Sequence, residues 1–256
     1  MNWHSYHNHS TWSDGQNGME DMLLAARAAG IREYGFSDHF ILTPWGEDID
    51  WALSAADLPG YVDEVLALKK KYDSPDFTVR LGLEVDYFAE RLPEIRRLVR
   101  ALPFDYLIGA CHFVGQFPID TSIEYWRPLT QAQIDETYAA YWQKLLGAAE
   151  SGLFTFLAHL DLPKKYKFAS TRDFHDERRA VIQAAAANGI GTEVNTAGWR
   201  KLCAEQYPAR DLLQECADAG LRVFLSADAH DTSVVTAGFP EGLALLASVG
   251  LEPAVL

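Results

Sequence analysis

The stretch Ala185-Ala186-Ala187-Asn188-Gly189-Ile190-Gly191-Thr192-Glu193-Val194-Asn195 runs from an alanine-rich helix through a glycine into a short strand. Gly189 falls where a helix end needs the left-handed conformation, which glycine adopts at little cost. The same unit recurs. It reads Ala-Ala-Arg-Ala-Ala-Gly30, Ala-Ala-Glu-Ser-Gly152 and Cys-Ala-Asp-Ala-Gly220, each followed by an apolar run. Working outward from these units gives seven strands: Trp3–His7, Glu33–Ser37, Thr78–Glu84, Tyr106–Ala110, Phe154–Ala158, Gly191–Asn195 and Arg222–Ser226. Helices fill most of the gaps. Asn17 with Glu20 and Thr130 with Gln133 read as capping boxes, and Pro59 and Pro240 fit first helical turns. No strand is followed by a hairpin signal in this reading, so strands alternating with helices predict parallel pairing with right-handed crossovers. Two aromatic-rich loops, 40–57 and 113–128, break the rhythm and read as walls or lids of a site.

The polar residues line up at the strand ends. Strand one delivers His7 and His9, which share a face because strand side chains alternate with a period of two. Asp14 follows on the next turn. Strand two delivers Asp38 and His39, strand three Glu84, strand four His112 and strand five His159. Strand six delivers Glu193 and Asn195, and strand seven Asp228 and His230. Six of the eight histidines belong to this set, leaving His4 and His175 elsewhere. In α/β barrels the carboxyl ends of the strands carry the active site. Imidazoles and carboxylates without thiolates suit Zn, Mn or Fe rather than an all-oxygen cage. The set exceeds what one ion can use, so two or three divalent ions are expected, with Glu84 bridging. Such ions acidify water and clamp phosphoryl oxygens, and the same chemistry would serve hydrolysis of a carbonyl compound.

Composition narrows the classes. With 256 residues, 48% hydrophobic and 23% charged, the chain has ample core for one domain spanning 1–256. No apolar run is long enough for a membrane span, and the amino-terminal Met-Asn-Trp-His lacks a leader pattern. Three cysteines do not make a disulfide framework, which points to a reducing cytoplasm. A formal charge of −14 disfavours a nucleic-acid surface, so no nucleic acid is expected as partner. Trp45, Trp51 and Trp126 are candidate pocket walls, Trp142 reads as core, and Cys111 should face away from His112.

His7-x-His9 with Ser13-Asp14-Gly15, Ser37-Asp38-His39, Gly82-Leu83-Glu84, His112, His159 and Asp228-x-His230 resemble the polymerase and histidinol phosphatase superfamily of metal-dependent phosphoesterases. The resemblance runs nearly end to end, in motif order. It implies a distorted (β/α)₇ barrel of the TIM type with a three-metal centre. By that resemblance one ion takes His7, His9, Glu84 and Asp228, a second Glu84, His112 and His159, and a third Asp14, His39 and His230. Glu193-Val-Asn195-Thr-Ala-Gly-Trp199-Arg200-Lys201 with Tyr207-Pro208 is similar to the histidinol-phosphate phosphatase branch. Many members of that branch place another histidine where this chain has Ser13-Asp14-Gly15, and Trp199 is a further departure. Arg200 offers a fork of donors matched to phosphate oxygens, Lys164 and Lys165 are within reach, and Asn195 is a candidate at the substrate. Asp228 or His230 would relay the proton to the leaving group. The expected activity is hydrolysis of a small phosphorylated substrate such as L-histidinol phosphate. A nucleotide phosphoesterase is the nearest alternative, and a metal-dependent amidohydrolase a more distant one, though no strand end offers a lysine for carbamylation.

Overall fold

The computed structural model describes residues 3–256. Its elements alternate as the sequence predicts. They run β1 (Trp3–Ser5), α1 (Met19–Ala28), β2 (Ile31–Phe36), β3 (His39–Phe40), α2 (Leu58–Tyr72), β4 (Thr78–Leu81), β5 (Glu84–Asp86), α3 (Leu92–Arg100) and β6 (Ile108–Ala110). Then come β7 (Phe113–Val114), β8 (Phe117–Pro118), α4 (Ile123–Trp126), α5 (Gln131–Glu150), β9 (Phe156–Leu157), α6 (His175–Ala187), β10 (Gly191–Asn195), α7 (Arg210–Asp218), β11 (Val223–Ser226) and α8 (Phe239–Ser248). Gly30, Gly152, Gly189 and Gly220 end their helices with φ of 89°, 59°, 67° and 73°, in the region that favours glycine. Thr130 and Gln133 form the capping box of α5, and prolines open α2 and α8.

Two parallel sheets carry the fold, β1-β2-β4 and β11-β10-β9-β6-β5-β3. They are two stretches of the same strand lines. Phe36 pairs with Leu81 in the first and His39 with Glu84 in the second, and Gly82 N–H donates to Phe36 O between them. At the other end, Asn8 bridges Ala229 in parallel and His9 N–H donates to Ala229 O at 2.9 Å. The hydrogen-bonded path from β11 thus returns to the extension of β1, as in a distorted seven-stranded barrel. The expected strand Thr78–Glu84 is two strands with a break at Gly82-Leu83. At that break the Tyr106 ring lies against the backbone of Gly82, as it does at Gly35, so closely that a side chain at either would run into it.

Period two separates inside from outside. Tyr106, Ile108, Ala110, Phe156, Ala158, Phe224 and Tyr6 form one buried cluster within the ring. Their neighbours Leu107, Cys111, Leu157, Val223 and Leu225 belong to the larger cluster shared with the helices. Ala254 and Leu256 pack against the inner cluster, and Ala254 N–H donates to Val223 O at 2.8 Å.

Two local expectations are corrected. Asn17 and Glu20 do not cap α1, which starts after Gly18 with no side-chain cap. Tertiary partners take both groups: Asn17 Oδ1 accepts Thr232 N–H, and Glu20 pairs with Lys71. The chain also has an antiparallel hairpin, β7-β8, turning at Gly115-Gln116 with Gly115 at φ 56°. A glycine opening a two-residue turn is itself a hairpin signal, and Gly115-Gln116 is such a turn. Among the described residues no helix is long and apolar enough to cross a membrane.

Candidate metal centre

The inner face that carries Tyr106, Ile108 and Ala110 continues to His112, and that of Phe224 and Ser226 to Asp228. The barrel core therefore aims the strand-end ligands at one point. His159 and Asp228 leave their strands with φ of 22° and 49°. A non-glycine residue there costs about 1–3 kcal/mol and persists where its surroundings over-determine it. For His159 the surroundings include Glu193 Oε1, which accepts its backbone N–H at 3.1 Å. The turn after β1 brings in Asp14. Gly15 N–H donates to Ser10 O, and the buried Asp38 carboxylate accepts Ser10 N–H and the Ser13 hydroxyl, both at 2.7 Å. A side chain at Gly15 would collide with the Ser10 backbone.

Glu84 is the hub. Its Oε2 stands 3.3 Å from His7 Nε2, 3.7 Å from His9 Nε2 and 2.7 Å from His39 Nδ1. Its Oε1 is 3.1 Å from His159 Nε2 and 3.6 Å from His112 Nε2. Asp228 Oδ1 lies 3.1 Å from His9 Nε2 and 3.5 Å from His7 Nε2. Asp14 Oδ1 is 3.1 Å from His230 Nε2 and 3.5 Å from His39 Nε2. Behind His7, Glu193 presents both oxygens to Nδ1, at 3.0 and 3.1 Å. Ser226 and Asn195 hold Glu193 in turn, at 2.6 and 2.9 Å.

The electrostatics follow from this crowding. Burial alone would lower the His7 pKa, but Glu193, Asp228 and Glu84 outweigh it and raise it well above 6.5. Burial and the charges of His230 and His39 push His9 down to about 3. Burial opposes ionisation of Glu84, yet His7, His39 and His112 hold its carboxyl well below the ordinary range. Asp14 is likewise held low, against burial, by His230 and His39.

These residues fit divalent cations. His7 Nε2, both ring nitrogens of His9, His39 Nδ1 and Glu84 Oε2 are buried without a hydrogen-bond partner, although other polar atoms stand close by. Orphaned buried polar atoms are rare and costly. Donor atoms that converge without the geometry of hydrogen bonds are what ligands of a shared cation present. Four overlapping groups have their ligand atoms within 4.8 Å of one another: His9-Asp14-His39-His230, His7-Glu84-His159, His7-His9-Asp228 and His39-Glu84-His112. All nine residues expected as ligands are brought together. The grouping is more shared than three separate sets, since His9 joins Asp14, His39 and His230, and His39 joins Glu84 and His112.

The cluster forms the floor of a cavity of about 420 Å³, walled by Trp51, Asp120, Lys165, Lys201 and Tyr207. Here the expected substrate contacts divide. Lys165 lines the cavity, paired with Asp120 at 3.1 Å. Lys164 does not line it, because its ammonium is held by Asp161, Glu205 and the Gln206 carbonyl. Asn195 is fully buried, with its amide on Glu193 and Asp228 and its oxygen on Ala197 N–H, so it is placed behind the ligands rather than against a substrate. Arg200 does not line the cavity; it lies on the Asp228 side, donating to the carbonyl of Ala227, the residue before Asp228, at 2.7 Å. Of the tryptophans, Trp51 walls the cavity, edge-on to His39 at 4.9 Å. Trp126 and Trp142 are buried, and Trp45 packs on Phe88. The sequence reading missed Asp86, Asp120 and Lys201. Asp86 had a signal, since it lies two residues beyond Glu84 on one strand line; Asp120 sits on a loop and had none.

Residues 5–197 match the PHP domain family. The probable histidinol-phosphatase of Deinococcus radiodurans is 32% identical over 226 residues, covering 88% of this chain and 85% of that protein. The histidinol-phosphatase of Bacillus subtilis is 26% identical over 227 residues, covering 80% and 84%. Among solved structures, histidinol phosphate phosphatase from Lactococcus lactis, complexed with Zn, L-histidinol and phosphate, aligns with a TM-score of 0.82. It is 22% identical and the alignment covers 98% of this chain and 95% of that one, a likeness of fold.

Proposed function

The chain belongs to the PHP domain family, and from that premise we propose that it is a metal-dependent phosphatase hydrolysing L-histidinol phosphate to L-histidinol and phosphate. The observation that carries this reading is the convergence of six imidazoles with Glu84, Asp228 and Asp14 on orphaned buried atoms under a cavity with cationic walls. The relatives named as histidinol-phosphatases support the substrate. His7, His9, Glu84 and Asp228 would hold one ion, Glu84 with His112 and His159 a second, and Asp14, His39 and His230 a third, drawn from Zn, Mn or Fe. Bound there, divalent ions lower the pKa of a coordinated water and neutralise charge on a transferring phosphoryl group.

The chain's own residues do the rest. Glu193 fixes the ring of His7 through Nδ1, so that Nε2 faces inward. Lys165 and Lys201 in the cavity wall, with Arg200 beside Ala227, would supply positive charge toward the phosphate. Asp228 or His230, whose side chain is 30% exposed at the cavity, would relay the proton to the leaving alkoxide.

The experiment is phosphate release from histidinol phosphate and from AMP, by wild type and Arg200→Ala. Histidinol phosphate should be preferred. Arg200→Ala should keep its metal and lose about 30- to 1000-fold in kcat/KM, the value of one donor to developing phosphoryl charge. Preference for AMP would move the assignment to a nucleotide phosphoesterase. Equal efficiency of the two forms would remove Arg200 from the site.

A further inference from the structure

Outside the ligand cluster, a lysine of the helical layer closes around one ligand. Lys144 Nζ, on α5, donates to Asp86 Oδ2 at 3.1 Å and to Phe113 O at 2.8 Å. It also lies 3.6 Å from the centroid of the Phe88 ring. Asp86 Oδ1 in turn accepts the backbone N–H of His112 at 2.6 Å, while the ring Nδ1, 3.4 Å away, makes no hydrogen bond to it. The chain at His112 is therefore gripped on both sides, its own N–H by Asp86 and the next carbonyl by Lys144. The pair is enclosed, the lysine side chain 12% exposed and Asp86 not at all. The other inward positions of α5 are Ile134, Tyr141, Trp142, Leu145, Ala148 and Ala149, so packing of this helix does not call for a cation. Burying one costs desolvation and rotamer freedom unless it is fully partnered.

We propose that Lys144 is a positioning residue for metal binding: with Asp86 it fixes the backbone at His112, and so sets the affinity of the ion held by His112, His159 and Glu84. The inference rests on reading the cluster as a metal centre and is independent of the substrate. Histidine ligands are commonly oriented by a carboxylate behind them, and loss of that partner weakens the metal 10- to 100-fold. Here the carboxylate needs a partner of its own. Without Lys144 it is a buried charge with no cation beside it, and the carbonyl of Phe113, where β7 begins, keeps only the weak Cys111 thiol donor at 3.5 Å.

The test uses full-length protein stripped of metal and titrated with Zn or Mn against a chelating dye, for wild type, Lys144→Met and Lys144→Arg. Lys144→Met should weaken one class of site by about 10- to 100-fold and leave the others as in wild type. Lys144→Arg, which keeps the charge and two donors, should restore most of that loss. Turnover of Lys144→Met should fall at limiting metal and recover at saturating metal with KM unchanged. If Lys144→Met folds poorly, Asp86→Asn carries the test and should weaken the same site. The proposal is overturned if these variants bind every ion as wild type does, or if all sites weaken together with the melting temperature. Absence of histidinol phosphate hydrolysis by wild type would sink the proposed function alone, since the titration reads metal and not substrate.

Discussion

Replacing Glu193 with glutamine tests the centre through a residue that touches no ion. Its two oxygens accept from His7 Nδ1, His159 N–H, Asn195 Nδ2 and the Ser226 hydroxyl, all donors, so the site is built for a carboxylate. A glutamine must turn its NH₂ toward one side. Turned toward His159 N–H and Asn195 Nδ2 it would face two donors. Turned toward Ser226 it meets a hydroxyl that can rotate to accept, and His7 keeps one acceptor of two. The second orientation wins, at the loss of one contact and of the charge in the rest. A hydrogen bond to a charged group is worth about 1.5–3 kcal/mol against about 1 for a neutral one. A loss of about 1.4 kcal/mol in holding His7 corresponds to about tenfold in metal affinity. Glu193→Ala removes the grip entirely, which places its loss near 100-fold. It also strands His159 N–H, at about 1–3 kcal/mol, while the Asn195 amide keeps Asp228. Chelator-competition titration with Zn or Mn reads the affinities, and thermal unfolding of metal-free protein reads the stability. Wild-type metal affinity in both variants would refute the reasoning, because His7 would then not be a ligand oriented by Glu193.

Three further outcomes are expected. In the metal-free protein the raised His7 contributes stability that is complete below its ordinary 6.5 and is lost as pH rises through its folded value. A metal must displace that proton, so affinity measured by titration should climb with pH through and above 6.5; a flat profile would mean His7 is not displaced. Gly82→Ala drives a methyl into the Tyr106 ring and should cost about 1–3 kcal/mol, read as a melting temperature about 3–10 °C lower; an unchanged melting temperature would show that the ring can yield. Burial pushes the Cys111 and Cys216 thiols up to about 12, so a thiol reagent at neutral pH should label neither until the protein unfolds.

The sequence alone determined the alternation of helix and strand and which residues meet in the candidate metal centre. Both are local: a glycine ends α1, α5, α6 and α7 whatever lies around it, and a parallel barrel puts the residue after every strand on one face. Period two was enough to send His112 inward and Cys111 outward. Tertiary structure decided the rest, wherever partners distant in sequence compete for a side chain. Lys164 and Lys165 are indistinguishable in sequence. They lie in a turn of 3₁₀ helix, Leu162–Tyr166, where successive residues point about a third of a turn apart, so one reaches Asp120 at the cavity and the other Asp161 and Glu205. Asn17 resembles a cap until Thr232, 215 residues away, takes its oxygen. Asp86 and Lys144 are 58 residues apart, and only the packing of α5 against the barrel brings them to His112. A strand's own pattern tells which way its side chains face, but what waits there is set by the other strands and helices.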